Sequence, residues 1–540
     1  MKNIRFSSML QKAKWVILPI FFIGFLYLGL SIYRDYGTHY DEEAQMAIGE
    51  HNYNYVISGD KTLIDFDDRY YGAIFEVILH AVTLGMLRTE QIFTRHLGVF
   101  LTFYLGVVFF YFLAKKITNN WFLGLMACLL LVLHPRIFAD SFYNSKDIPF
   151  LSFFIIASFS LLYYIESPSF FKATMHAITS AVLVTIRLGG GIVPVLTVGF
   201  GLFSQGLIKL RGNNIFPNFR NLQGLKPLKN FTHNRIVILF YYLILCAILV
   251  IFFSPVLWHN PASEFINALQ RMSNYPWGGK VLYRGEFVTA TALPWHYIPT
   301  WILITTPVGY LIFTILGLIT MAWGLFHPTD AISRSLQWQD VYILIWLFLP
   351  ITIGLLLHST FYDGWRHMFF VYPAMVLVML RALQNIINLQ FFRDRRFLAY
   401  TFVSFLVIIA LFQPLSFMLR NHPFENVYFN RLAGKDMSEI KAQYDLDYWG
   451  LSYLPGLRYI LKADKADVIK LYILNTPGRM NAYLLYPNQR KRLLYVDDIK
   501  QADYFITNYR WHPQPYTEFP QEVFSVKVEN ASILSVFRLH

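Results

Sequence analysis

The chain has 540 residues, of which 55% are hydrophobic, 18% aromatic and only 15% charged. So apolar a composition excludes the several soluble domains that a chain of this length would otherwise form, and it indicates a polytopic membrane protein. The formal net charge of +13 does not point to nucleic acid, because the basic residues lie beside apolar segments, where the positive-inside rule accounts for them.

Apolar runs close to the roughly 20 residues needed to cross a bilayer recur from Trp15 to Leu415. They predict eleven spans, at 15–33, 93–113, 119–134, 149–165, 173–187, 190–208, 236–256, 301–325, 341–358, 368–386 and 397–415. The first run is too long for a signal-peptide core and lacks a cleavage site, so it is predicted to be a true span. The run 70–87 is nearly long enough, but a crossing there would invert every later loop. It is therefore interpreted as an interfacial helix in which Glu76 and His80 share a face.

Charge sets the predicted orientation. The N-terminal flank 1–14 and the linker 209–235 carry basic residues without an acid, so both are predicted to be cytoplasmic. With an odd number of spans, the first loop 34–92, the long loop 257–300 and the tail 416–540 face outward. The sequence thus predicts a multi-pass protein, with a bacterial inner membrane as the default location and the endoplasmic reticulum left open.

The tail has a mixed polar and apolar pattern. Alternation predicts strands in "VIKLYIL", "DYFIT" and "SILSVFRL", and a helix is predicted after Pro477 through "NAYLLY". The predicted fold class is therefore a polytopic α-helical membrane body, residues 15–415, followed by a C-terminal α/β domain, residues 416–540. The two cysteines, Cys128 and Cys246, lie in apolar runs and are predicted to be inert core residues.

Ionisable residues gather at the outward ends of the predicted spans. They are Asp41-Glu42-Glu43, Arg95-His96, Arg136, Asp140, Lys146-Asp147 and Arg366-His367. No acid or base is expected at mid-span, where a transporter would more often carry one. The pattern favours a catalytic cleft at the membrane surface, in which a carboxylate accepts a proton and Arg or Lys stabilises a departing phosphate. Asp41 is the candidate base.

Simpler interpretations of the same residues stay open. The acids 41–43 also suit a hydrated loop or the first turn of a helix. Arg95, Arg136 and Arg366 also suit anchors in the headgroup layer, and the histidines suit hydrogen-bonded boundary residues better than metal ligands. The sequence requires no cofactor and leaves a divalent metal open.

The order of these motifs resembles the GT-C glycosyltransferases that use lipid-phosphate-linked sugars, and most of all the protein O-mannosyltransferase and aminoarabinose-transferase-like group. The likeness covers roughly residues 15–415. The stretches that carry it are "HYDEEAQ" at His39, "TRHLGVF" at Thr94, "HPRIFADSFYNSKDIPF" at His134, "LYRGE" and "LPWHYIPTWILITTP" between Leu282 and Pro307, and "YDGWRHMFFVYP" at Tyr362.

The resemblance implies an inverting glycosyltransferase. Asp41 would be the base and Glu42 would contact the acceptor or shape the loop. Arg95 would lie near the donor phosphate, with Lys146 and Arg366 as further phosphate contacts. Asp147 would be the second-loop acid that organises the site or helps to hold a metal, and Asp140 is a weaker candidate for that role.

The partners implied are a polyprenyl-phosphate-linked sugar, an acceptor that is a glycan, a lipid or a protein, and membrane lipids. No nucleic acid is expected. A transporter or flippase of lipid-linked sugars is the alternative from another class, because it would also need an apolar groove and boundary charges. It should show paired halves, which the sequence does not.

Overall fold

The structure is a computed structural model, and it describes residues 2–210, 234–273, 275–326, 338–519 and 521–539. Most of the charged linker 209–235 therefore lies outside the described residues. The helices before residue 260 are α1 (Lys2–Ile32), α2 (Glu42–Ser58), α3 (Thr62–Asp65), α4 (Ile74–Thr83), α5 (Arg88–Thr118), α6 (Trp121–Val132), α7 (Pro135–Tyr143), α8 (Asp147–Glu166), α9 (Phe170–Ile186), α10 (Ile192–Leu210) and α11 (Asn234–Phe253). The later helices are α12 (Pro261–Ser273), α13 (Tyr297–Thr305), α14 (Val308–Phe326), α15 (Trp338–Leu356), α16 (Tyr372–Asn388), α17 (Arg396–Asn421), α18 (Met437–Gln443), α19 (Tyr453–Ala463), α20 (Thr476–Met480) and α21 (Pro487–Arg490).

The chain is an integral membrane protein with a helical body, as predicted. Within the described residues, seven helices are long and apolar enough to cross a membrane, and the count is nine if each of two bent helix pairs forms one span. All eleven predicted segments are helical. Two of these segments, predicted at 173–187 and 190–208, are not among the helices long enough to cross. Their described apolar helices, Phe170–Ile186 and Leu188–Leu202, are too short.

Two predicted spans are bent. The span predicted at 119–134 continues as α6 and α7, whose axes meet at 72°. Pro135 begins α7, where its missing N–H costs nothing, and the His134 side chain accepts a hydrogen bond from the Ile137 backbone N–H. The span predicted at 301–325 is divided at Pro307 into α13 and α14, which meet at 118°.

The run 70–87 forms the short helix α4, whose ten residues are too few to span a bilayer. The chain enters α4 against the end of α9, where a Cβ on Gly72 would lie 1.9 Å from the Ile186 carbonyl oxygen. Only glycine allows this approach. Glu76 and His80 were predicted to share a face of this helix. Glu76 is buried, whereas His80 is half-buried beside the Tyr53 ring.

A buried ion pair lies near one end of the predicted spans. Arg381 stands five residues before the end of the predicted span 368–386 and is buried. Its guanidinium forms an ion pair of 2.6 Å with Asp340 near the start of α15 and donates to Gln384 at 2.8 Å. The Gln384 amide in turn donates to the Thr118 carbonyl oxygen. These contacts join α16, α15 and the end of α5, so the pair fixes the helices to one another.

The C-terminal part contains the predicted sheet. Its strands, together with a separate two-stranded hairpin, are β1 (Lys280–Tyr283), β2 (Glu286–Thr289), β3 (Ile469–Ile473), β4 (Leu493–Tyr495), β5 (Tyr504–Thr507), β6 (Glu522–Val528) and β7 (Ala531–Arg538). The five-stranded sheet has the order β4-β3-β5-β7-β6, with β3 parallel to β4 and β5, and β7 antiparallel to β5 and β6. The three predicted strands are confirmed, and the helix predicted after Pro477 is present as α20, which ends at Met480 and is followed by a 3-10 turn at Asn481–Leu484.

The sheet domain and the helical body share packed surfaces. Ile92 and Phe93, at the start of α5, belong to the same apolar cluster as the inner face of the sheet. The Asn481 side chain donates to the Thr38 carbonyl oxygen and accepts from the Thr38 backbone N–H, both at 3.0 Å. Tail residues therefore hold the first loop just ahead of Asp41. Cys128 and Cys246 are both buried and unbridged.

Candidate active site

The loop before α2 directs the Asp41 side chain away from its own helix. Asp41 is the residue that precedes α2, but its carboxylate makes no capping hydrogen bond to the first turn. The His39 ring instead accepts from the Asp41 backbone N–H at 3.2 Å. A Cβ on Gly37 would lie 2.6 Å from the Leu451 carbonyl oxygen, so glycine is needed where the loop passes under the tail. The carboxylate is thereby left free to face an open cavity.

Arg366 is the centre of the charged site. Its guanidinium lies 3.1 Å from Asp147 Oδ2, 3.2 Å from Asp41 Oδ2 and 3.3 Å from Asp363 Oδ2. The side chain is fully buried, with the Trp449 ring centre 4.6 Å from the guanidinium carbon. A planar, always charged guanidinium suits this arrangement, because its fork can bind several carboxylates at once.

Two further cations flank this centre. Lys146 Nζ lies 3.8 Å from Asp41 Oδ2 and 4.6 Å from the centre of the Tyr71 ring. Arg187, which follows α9, lies 2.7 Å from Asp147 Oδ1. The Asn144 side-chain oxygen accepts from the Asp147 backbone N–H at 2.9 Å, and this bond fixes the start of α8. The end of α9 and the start of α8 therefore meet at the same carboxylate.

Asp363 connects the centre to the tail. Its second oxygen lies 2.8 Å from Arg510 Nη2, and Arg510 also donates to the Tyr448 carbonyl oxygen. The ion-paired side chains of this site comprise three carboxylates, Asp41, Asp147 and Asp363, and four cations, Lys146, Arg187, Arg366 and Arg510.

A cavity opens beside Asp41. It is lined by Tyr40, Asp41, Ala44, Gln45, Ile48, Asp68, Tyr71, Lys146, Tyr275, Trp277, Tyr362, Asp363 and Arg510. Asp41 keeps 22% of its side chain exposed, whereas Arg366 behind it keeps none. Its Oδ2 is buried within ion-pair distance of Arg366 and Lys146, so the exposed part of the side chain is the part that faces the cavity. Asp41 is therefore a carboxylate that a ligand in the cavity can reach.

The cations control ionisation at Asp41. Burial acts to raise its pKa, but the charges of Arg366 and Lys146 outweigh burial and hold the pKa below its usual value. Lys146 shows the opposite balance, since burial lowers its pKa to about 8 although Asp41 opposes this change. At neutral pH the cavity thus presents a carboxylate and an ammonium side by side.

A second buried cluster lies behind the loop. Arg95 forms an ion pair with Glu42 and another, of 2.7 Å, with Glu76. His39 Nε2 lies 2.7 Å from the other Glu42 oxygen, and Ser145 donates to Glu76 at 2.5 Å. None of these five side chains is among the residues that line the cavity described above. The cluster joins α2, α4 and α5 beneath the loop that carries Asp41.

The structure brings together four of the seven sequence-predicted residues, Asp41, Lys146, Asp147 and Arg366. Glu42 and Arg95 lie in the second cluster. Glu42 directly follows Asp41 in the chain, and Arg95 lies on α5. Asp140 lies deeper still: it accepts from Asn144 at 2.9 Å and from the Trp449 indole N–H at 3.2 Å. Asn144 also donates to Asp147 at 2.9 Å, so the two acids of this segment share a donor.

Sequence reasoning missed three charged residues of the site, Arg187, Asp363 and Arg510. A signal existed for Arg187, which ends an apolar run and precedes three glycines, and for Asp363, which stands in the quoted "YDGWRH" stretch. No such signal marked Arg510, because it lies in the tail, far along the chain from every other charged residue of the site. Among the described residues, no group of three or more His, Cys, Asp or Glu side chains is placed to hold a metal ion.

No family model and no curated protein matches the chain. Among solved structures, the chain is similar to one described as the crystal structure of ArnT from Cupriavidus metallidurans bound to undecaprenyl phosphate. The two are 11% identical with a TM-score of 0.45, over 97% of this chain and 98% of that one.

Proposed function

We propose that the chain is an inverting glycosyltransferase that moves a sugar from a polyprenyl-phosphate donor to an acceptor on the extracytoplasmic face of a membrane, by default the bacterial inner membrane. One observation carries the proposal: the accessible Asp41 carboxylate lies 3.2 Å from Arg366 and 3.8 Å from Lys146 in an open cavity. A proton acceptor next to two phosphate-binding cations is the set of groups that this reaction needs. The N-terminus would be cytoplasmic and the tail 416–540 would be outside.

The reaction uses these groups in one displacement. The acceptor hydroxyl oxygen attacks the anomeric carbon from the side opposite the phosphate and forms the new glycosidic bond. The bond from that carbon to the phosphate oxygen breaks, and polyprenyl phosphate leaves with the electron pair. Asp41 takes the hydroxyl proton, and Arg366 and Lys146 stabilise the charge on the leaving phosphate.

Donor binding itself would make Asp41 a better base. Without donor, Arg366 and Lys146 lower the pKa of Asp41 and so weaken it as a proton acceptor. A phosphate that draws the same two cations toward itself adds negative charge beside Asp41 and raises its pKa. The base would therefore become effective only when the donor is present.

The remaining predicted residues receive supporting roles. Asp147 would hold Arg366 and Arg187 in place for the phosphate, which matches the organising role expected of the second-loop acid. Glu42 and Arg95 would act as positioning residues, because their ion pair fixes the first turn of α2 directly after Asp41. Asp140 would orient Asn144 and Trp449 behind the site.

The test is turnover of defined donors. The purified full-length chain in detergent is incubated with a panel of radiolabelled polyprenyl-phosphate sugars and a membrane extract. Transfer of label with release of polyprenyl phosphate supports the proposal. Donor that moves between the leaflets of reconstituted vesicles but is never cleaved would instead support the transporter or flippase of lipid-linked sugars.

The pKa of Lys146 predicts that kcat/KM for the donor falls at alkaline pH. Its pKa of about 8 leaves the ammonium charged below that pH and neutral above it, so attraction for the donor phosphate falls as pH rises through about 8. Arg366, Arg187, Asp41 and Asp147 face the same ammonium. The quantity to measure is kcat/KM for the donor from pH 6 to 10, since it reports the free enzyme. Lys146→Arg, which stays charged, should remove this fall, and an unchanged alkaline limb in that variant would contradict the assignment.

A further inference from the structure

Two arginines without acidic partners meet where the tail contacts the start of α5. Arg88, the first residue of α5, and Arg490, the last residue of α21, each lie 5.5 Å from the centre of the Tyr483 ring. Arg88 also donates to the Gln91 side-chain oxygen at 3.4 Å. Like charges repel, so an anion bound next to both guanidiniums would stabilise this arrangement.

The acids close by in the chain are paired with other cations. Glu90 pairs with Arg34, and Asp497 pairs with Arg479 at 3.0 Å. Lys491, next to Arg490 in the chain, is exposed. We call this region the Tyr483 surface, and it consists of Arg88, Tyr483, Arg490 and Lys491. Its three cations form no ion pair with a carboxylate of the described residues.

The Tyr483 surface lies at the level of lipid headgroups. Arg88 stands five residues before the predicted span 93–113, on the same helix α5. At a rise of about 1.5 Å per residue it is about 7 Å outside the hydrocarbon of the bilayer. The polar layer on each side of a bilayer has about this thickness. The cations of the surface are therefore at the depth of phospholipid phosphates.

Exposed apolar residues directly precede Arg88 in the chain. Leu87 is 73% exposed, and Leu84 and Met86 are exposed as well. On the tail side, the Tyr486 ring is also exposed. An exposed apolar patch beside basic residues is typical of a surface that contacts a membrane, and tyrosine is enriched at that depth.

The turn of the tail that carries Tyr483 also holds the first loop. The Thr89 hydroxyl donates to the Tyr483 carbonyl oxygen at 2.6 Å, which joins α5 to the turn Asn481–Leu484. Asn481 begins this turn and forms the two hydrogen bonds to Thr38 described above. A ligand bound to the Tyr483 surface would therefore stabilise the contact that positions the first loop.

We propose that the Tyr483 surface binds the headgroup of an anionic phospholipid. Arg88 and Arg490 bind its phosphodiester, and its acyl chains lie against Leu84 and Leu87. Arginine suits this ligand, because its planar guanidinium can donate two parallel hydrogen bonds to a phosphate. The bound lipid joins α5 to the tail. This inference goes beyond the proposed glycosyl transfer and does not depend on it, since it requires only that α5 spans a membrane.

The test is the response of the purified full-length chain, in a neutral detergent, to added lipid. The probes are phosphatidylglycerol, phosphatidylcholine and a polyprenyl phosphate, and the thermal unfolding midpoint is recorded against the concentration of each. The test variant is the double substitution Arg88→Gln and Arg490→Gln. The matched control is Lys527→Gln, which removes an exposed charge from β6, the edge strand opposite β4 in the sheet.

Phosphatidylglycerol should raise the midpoint of wild type in a saturable manner, because it binds the folded state, and phosphatidylcholine should not. The affinity of the double variant for phosphatidylglycerol should fall about tenfold or more, the scale of losing a hydrogen bond to a charged group. Lys527→Gln should respond as wild type. Polyprenyl phosphate should act equally on wild type and on the double variant, because the cavity beside Asp41 is unchanged.

Three results would overturn the inference. Equal affinity of wild type and the double variant for phosphatidylglycerol would exclude the two arginines as its site. Equal responses to phosphatidylglycerol and phosphatidylcholine would contradict an anionic headgroup. A response to polyprenyl phosphate alone, lost in the double variant, would assign the surface to the donor.

The single substitutions keep the test decisive if the double variant fails to fold. Arg88→Gln and Arg490→Gln each leave the other guanidinium in place, and each should weaken phosphatidylglycerol binding. Unchanged affinity in both would again contradict the proposal. Failure of the proposed function looks different: no variant and no wild type would cleave a lipid-linked sugar, while the response to phosphatidylglycerol would remain.

Discussion

Asp41→Asn is expected to reduce sugar transfer by roughly 10²- to 10⁴-fold, the contribution of a positioned general base, while donor binding persists. The amide has the shape of the carboxylate but cannot take the acceptor proton. The fold should survive, because Arg366 keeps Asp147 and Asp363 as partners. The measurements are the single-turnover rate with the preferred donor and, separately, binding of that donor at equilibrium.

The neighbouring acid supplies the matched control. Glu43 is exposed in the first turn of α2, two residues after Asp41, and takes no part in the ion pairs of the site, so Glu43→Gln should transfer at nearly the wild-type rate. Tighter donor binding in Asp41→Asn would fit the same picture, since the amide no longer competes for Arg366 and Lys146. A single-turnover rate equal to that of wild type would exclude Asp41 as the base.

Arg366→Met is expected to lower the free energy of unfolding by about 3–5 kcal/mol, the range for removing one partner of a buried ion pair. The change leaves Asp41, Asp147 and Asp363 close together without the cation that lies between them. Donor binding should be lost as well. The checks are the thermal unfolding midpoint of the purified variant in detergent and donor binding measured below that midpoint.

An exposed arginine gives the comparison. Arg34 pairs with Glu90 at 3.1 Å, but both side chains are about half exposed, so Arg34→Met should change stability by less than about 1 kcal/mol. Arg366→Lys should recover part of the stability but little donor affinity, because a point charge cannot span three carboxylates. Equal midpoints for Arg366→Met and Arg34→Met would show that Arg366 is not the electrostatic centre of the fold.

Most of the membrane body follows from apolar run length, because each predicted span coincides with a helix. The bends do not follow from it. The chain between Trp121 and Tyr143 is apolar enough to be counted as one crossing, whereas the predicted span ended at 134 and did not include the 72° turn into α7. Three of the five strands in the tail sheet, β3, β5 and β7, were predictable because their alternation is a local property, whereas β4 and β6 were missed and the strand order depends on contacts between distant segments.

Several charged residues of the site could be predicted from the sequence, but the ion pairs that they form could not. Apolar surroundings make every ionisable residue conspicuous in the sequence, so Asp41, Lys146, Asp147 and Arg366 could be named. Which carboxylate meets which guanidinium is set by the tertiary fold, and the sequence gives no sign that Arg95 is taken up by two glutamates. Arg510 joins the site from 147 residues beyond its partner Asp363, a separation that no local pattern spans.

The two hydrogen bonds between Asn481 and Thr38 have a consequence for biosynthesis. These residues are 443 positions apart, so the ribosome releases the first loop long before it makes the residue that fixes it. A nascent chain with all of its spans inserted still has Asp41 on a loop without its final anchor. The first loop would therefore reach its final position only after residue 481 of 540 has been made, and under the proposed function a chain terminated before that point would sit in the bilayer without transferring sugar.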